Sequence, residues 1–136
     1  MAEIDLEALA GRVEALEGPD MQADADICRA IGYEVKYHRG EPQPYYEPTP
    51  GYSWSRVPSY TASIDAAMTL VPEGFYWEVA RGVKRRDLGP YWANCYNDEM
   101  LAKMIDGDPV IPGCTPAIAL CCAALRARLM EGEGEK

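Results

Sequence analysis

The sequence predicts an α+β domain: a small, mainly antiparallel sheet layered with N-terminal and C-terminal helices, an α–β–α sandwich. Three observations predict it. All thirteen aromatic residues lie between Tyr33 and Tyr96. Both ends of the chain are aliphatic and repeat apolar residues at helical spacing. Between them, two ring-rich and β-branched runs flank a charged turn, the pattern of a hairpin. With 136 residues the chain fits one domain, drawn over residues 1–130, with residues 131–136 as an acidic flexible tail.

Residues 3–17 carry Leu6, Leu9, Val13 and Leu16, an apolar stripe on a first helix. Gly18-Pro19 stops it, because Gly tolerates the left-handed cap and Pro cannot extend the ladder. Asp20 is placed to cap a second helix over 21–31, with Asp24 near its positive end and Ile27, Ala30 and Ile31 facing inward. Neither helix has a basic recognition face, so the pair reads as scaffold.

Residues 33–60 hold five prolines and seven aromatic rings. Tyr33–Tyr37 alternates well enough for a short strand. From Gly40 to Pro58 no period survives, and the stretch reads as ordered but irregular, in part polyproline-like. Its rings either pack on the sheet or form an exposed adhesive surface.

Thr61 or Ser63 can cap a short helix, Ile64–Leu70, whose apolar face is Ile64, Ala67, Met68 and Val71. Residues 75–80 and 88–96 read as the two strands of a hairpin turning through Gly82–Asp87. Residues 97–106 read as a short helix. Thr115 caps the C-terminal helix, with Pro116 at its first position, where a missing donor is harmless. Ile118, Cys122, Leu125 and Leu129 form one face of that helix. Ala117, Cys121 and Ala124 form an adjoining face of small side chains that admits close approach to a sheet.

Three segments, once laid out, resemble a known family. They are Leu16-Glu-Gly-Pro-Asp with Ala25-Asp-Ile-Cys-Arg-Ala-Ile-Gly, then Val57–Gly74, then Thr115–Arg128. Together they resemble the phage ABA sandwich domain over residues 5–32, 57–80 and 114–128, about half the chain. The middle motif, Tyr60-Thr-Ala-Ser-Ile-Asp-Ala-Ala ending in Pro72-Glu-Gly, is its most specific part. The resemblance implies an α–β–α layered fold and a phage origin. It implies no catalytic residues, and residues 33–56 and 82–113 lie outside it.

Charge and cysteine content narrow the function classes. Thirteen Lys+Arg against 22 Asp+Glu give a net charge of −9, which argues against nucleic acid as ligand, since that binding neutralises phosphates. No apolar run approaches the roughly 18–20 residues of a spanning helix, so no membrane is expected as partner. The acidic start lacks the basic-then-apolar pattern of a secretory signal. Five cysteines, two of them adjacent, do not form a disulfide framework. Reduced thiols in the host cytoplasm are the expectation.

Candidate chemistry is sparse. A metal site would join His38 to Cys95, Cys114, Cys121 or Cys122, but no zinc-type spacing occurs. Nucleophilic catalysis would need His38 as base for a thiol, and acid–base work would draw on Asp65, Glu73 or Glu78. His38 is more simply a surface histidine, Asp65 a first-turn acid of its helix and Glu73 a turn residue. No phosphate-binding glycine loop is present and no cofactor is implied. Two stretches suit binding. Tyr45, Tyr46, Tyr52 and Trp54 supply large ring area at little entropic cost. Arg81, Lys84, Arg85 and Arg86 either form a solvated hairpin tip or meet a phosphate or an acidic partner. The expectation is a non-enzymatic phage accessory protein that binds a host or phage protein through the aromatic stretch. The alternative is a small-ligand or nucleotide-binding protein using the basic hairpin and a stacking tyrosine. Self-association is left open.

Overall fold

The computed structural model describes residues 5–49, 51, 53–81, 91–99 and 111–134, with side chains described as far as Leu129. Within these residues the fold is α+β, with four helices and two three-stranded antiparallel sheets. The helices are α1 (Leu6–Glu14), α2 (Met21–Ala30), α3 (Ile64–Met68) and α4 (Pro116–Gly134). One sheet holds β1 (Val35–Tyr37), β2 (Pro44–Tyr46) and β3 (Ser55–Arg56). The other holds β4 (Tyr76–Arg81), β5 (Tyr91–Tyr96) and β6 (Ile111–Gly113).

Each helix starts on a side chain that meets its free amides, as the N-cap rule requires. Asp5 accepts from the Glu7 and Ala8 amides, Asp20 from Ala23, Ser63 from Ala66, and Thr115 from Ile118. Of the two caps considered for α3, Ser63 does the work, and Thr61 turns elsewhere.

α4 forms the centre of the molecule. It packs against α1, α3 and all three strands of the second sheet. Every residue from Ala117 to Leu125 is buried, not only the predicted stripe. Small side chains on the adjoining face make this enclosure sterically feasible. At Gly113 in β6, an added Cβ would lie 2.5 Å from the Ala119 amide nitrogen and 2.6 Å from its Cα. The adjacent cysteines diverge as helical geometry demands. The Cys121 thiol donates to the Tyr60 carbonyl at 3.0 Å and the Cys122 thiol to the Ala10 carbonyl at 3.4 Å. All five cysteines are free, and only Cys114 is exposed.

The structure departs from the sequence expectations at four places. One sheet was expected and two are present. The stretch 40–58, read as irregular, holds β2 and β3: β2 pairs with β1, and β3 with β2. Strands of two and three residues are too short to display a period, and Pro44 fits because it opens its strand. On α3, Ile64 and Met68 are 37% and 41% exposed, while Ala67 and Leu70 are fully buried. The helix ends after five residues, so the core is met by Ala67 and by the turn that follows. α4 continues to Gly134, through most of the stretch read as a tail, since an established helix gains one hydrogen bond per added residue. Asp98 and Glu99 are helical; the rest of the helix expected over 97–106, from residue 100 on, and the hairpin tip 82–87 lie outside the described residues.

Candidate functional site

The register of the first sheet sorts its side chains into two faces. Lys36 pairs with Tyr45, and Tyr45 with Arg56, so these three stand on one side. Val35 pairs with Tyr46, and Tyr46 with Ser55, on the other. Val35 and Tyr46 pack against the core, and the Tyr33 ring meets Tyr46 edge-on at 5.1 Å. Burial, first of all, raises the Tyr46 phenol above its ordinary pKa.

The outward face gathers an aromatic cluster. The His38 ring lies edge-on to Tyr45 at 4.3 Å and to Trp54 at 6.3 Å. The Lys36 ammonium sits 5.1 Å from the Trp54 ring centroid, a cation–π distance. The Tyr45 hydroxyl donates to the Glu41 carboxylate. Tyr45 and Trp54 are half-buried, whereas Lys36, His38, Glu41 and Arg56 are exposed. The rings are therefore held in place by edge contacts while their outer surfaces meet solvent. This answers the choice left open by the sequence: the stretch does both, with Tyr46 packed inward and Tyr45 and Trp54 turned out.

The remaining sequence-predicted residues fall elsewhere. Tyr52, Lys84, Arg85 and Arg86 lie outside the described residues. Arg81 is exposed at the end of β4, opposite Tyr91. It stands on the second sheet, whereas Tyr45 and Tyr46 stand on the first. Glu78 accepts a hydrogen bond from the buried Asn94 amide at 2.9 Å. His38 meets rings and no thiol. Among the described residues, no group of three or more His, Cys, Asp or Glu side chains is placed to hold a metal. Burial pushes the Cys28 and Cys122 thiols up to about 11 and Cys95 to about 12, which removes them as ready nucleophiles.

One polar constellation escaped the sequence reading. Asp24, read as a first-turn acid of α2, is buried and accepts from both the backbone amide and the hydroxyl of Thr61, at 2.8 and 2.9 Å. Desolvation raises its pKa, and the two Thr61 hydrogen bonds oppose that rise. Asp24 also lines a cleft of about 130 Å³ together with Met21, Gln43 and Arg56. A more open groove of about 370 Å³ runs between Pro19, residues 61–65 at the entry to α3, and the start of α4. Nothing local in the sequence signals the Asp24–Thr61 pair, because its members are 37 residues apart.

No helix among the described residues is long and apolar enough to cross a membrane. Comparisons with protein-family models, with curated proteins and with solved structures each return no match.

Proposed function

We propose that this chain is a binding protein whose outward face on β1–β2–β3 contacts a protein partner. The carrying observation is the pair of half-buried rings, Tyr45 and Trp54, clustered around His38 on one side of a three-stranded sheet. Rings fixed before contact lose little freedom on binding, and aromatic anchors within a polar rim are the usual source of interface energy. Lys36, Arg56 and Glu41 supply that rim. The quoted sequence segments support a phage origin, and the partner is then a host or phage protein met in the host cytoplasm, with this chain as an accessory factor. The test is capture of partners from a host lysate by the native chain and by the Tyr45→Ala/Trp54→Ala double variant. The double variant is expected to lose partners that the native chain holds. An identical captured set overturns the reading.

A second reading, a nucleotide-binding protein, draws on Arg81 standing opposite Tyr91 across the β4–β5 pair. A nucleotide present at 100 times its dissociation constant adds about 2.7 kcal/mol to stability. A thermal-shift panel of nucleotides reads this directly, and the absence of any shift removes this reading.

A further inference from the structure

Natural edge strands are blunted by shortness, by lysine or proline, or by a bulge. β4 is not short, has no lysine, proline or bulge, and carries as charges only Glu78 and Arg81. It is six residues long, Tyr76-Trp-Glu-Val-Ala-Arg, and its six consecutive pairs with β5 leave no bulge. In the strand order β4–β5–β6 it lies at the edge, so among the described residues its other side pairs with nothing. Tyr76 and Trp77 are 51% and 38% exposed along it. We propose that this edge pairs with a second copy of the chain, β4 against β4 in antiparallel fashion, about a two-fold axis at Val79.

The occupant follows from the strand's self-complementarity. Trp77 and Val79 stand opposite Cys95 and Ala93, which face the core, so Trp77, Val79 and Arg81 share the α4 side of the sheet. Tyr76, Glu78 and Ala80 share the other. A two-fold axis perpendicular to a continuous sheet places each residue opposite one from the same face. Only two registers then pair five residues of each strand. Centred on Glu78, the first sets that carboxylate against its own copy, and directly opposed like charges are unfavourable. Centred on Val79, the second sets Val79 against Val79 and Glu78 against Ala80. It also sets Trp77 against Arg81 twice, once on each side of the axis, a cation facing an exposed indole ring. The strand therefore carries an attractive element for one register and a repulsive element against the other.

Sedimentation velocity across a concentration series tests the proposal. The native chain is expected to show a monomer–dimer equilibrium. Trp77→Ala and Arg81→Ala are each expected to weaken it about tenfold, since each removes a cation–π pair twice per dimer. Arg81 is exposed, so its loss leaves the monomer fold intact, as an unchanged circular-dichroism melt would show. The register is read by cysteine capture in a Cys114→Ser background, which removes the one exposed native thiol. Val79→Cys is expected to form a disulfide-linked dimer under mild oxidation and Glu78→Cys to remain uncaptured. A monomer at every concentration overturns the proposal and leaves the edge to some other partner. Capture at position 78 in preference to 79, or a dimer indifferent to Arg81→Ala, also overturns it. A dimer abolished instead by Tyr45→Ala/Trp54→Ala places self-association on the other sheet and equally refutes pairing through β4.

Discussion

Thr61 is tied to Asp24 through two hydrogen bonds on a single carboxylate oxygen, while its hydroxyl also accepts from the Asp20 amide at 2.9 Å. One threonine thus joins the loop before α3 to the first turn of α2 and supplies an acceptor to that helix's capping residue. Thr61→Val keeps the shape but strips Asp24 of one donor and Asp20 of its acceptor. A loss of about 2–3 kcal/mol is expected, read from the shift in urea midpoint, with Thr61→Ser restoring most of it.

The same pair gives a pH dependence. Desolvation raises the Asp24 pKa in the folded chain above 3.8, so the native state holds this proton more readily than the unfolded state. The linkage slope is then negative: stability contributed at Asp24 is fully present below 3.8 and is lost as pH rises through the folded value. Asp24→Asn keeps an acceptor for Thr61 and removes the buried charge. Its stability relative to the native chain is expected to rise between about pH 4 and about pH 7, as urea titrations at both values would show. A relative stability that falls over this interval contradicts the assignment.

At Gly113 the sheet and α4 approach too closely for any side chain. The clashing atoms in Gly113→Ala are the backbone and Cβ of Ala119, within 2.8 Å, so relief requires moving the central helix. Overpacking of this kind costs about 1–3 kcal/mol, and each kcal/mol lowers the melting temperature of a domain this size by about 2–5 °C.

Thiol chemistry separates Cys114 from the rest. Its Sγ donates to the Glu17 carbonyl at 3.0 Å but stays exposed, whereas Cys28, Cys95, Cys121 and Cys122 are buried with raised pKa values, desolvation being the first cause in each. Iodoacetamide at about pH 8 is expected to label Cys114 alone in the native chain, because the thiolate is the reacting form. All five should label in denaturant. Peptide mass spectrometry distinguishes the sites.

Arg128 donates through Nε to the Leu70 carbonyl at 2.8 Å, pinning α4 to the turn after α3. Arg128→Met preserves much of the apolar stem and leaves that carbonyl without its charged donor. A loss of about 1–2 kcal/mol is expected, visible as a lower urea midpoint.

Much of this fold was legible because its signals are local. Asp20, Ser63 and Thr115 cap the helices they precede, and the β4–β5 pair was visible from ring-rich runs around a charged turn. What stayed hidden depends on distant partners. Tyr45 and Tyr46 are neighbours of equal chemistry, and only their register against Lys36 and Val35 sends one outward and the other into the core. The first sheet itself was not legible, since β3 has two residues and offers no alternation. The role of Asp24 was likewise invisible, because a carboxylate in a helix's first turn is adequately explained by the macrodipole until a threonine 37 positions away is seen to claim it.

The enclosure of α4 also bears on how the chain acquires its shape during synthesis. Residues 117–125 supply the surface on which α1, α3 and the second sheet converge, so those elements can bury their inner faces only once this last helix has been translated, whereas β1–β2–β3 and the β4–β5 pair can join from residues already made.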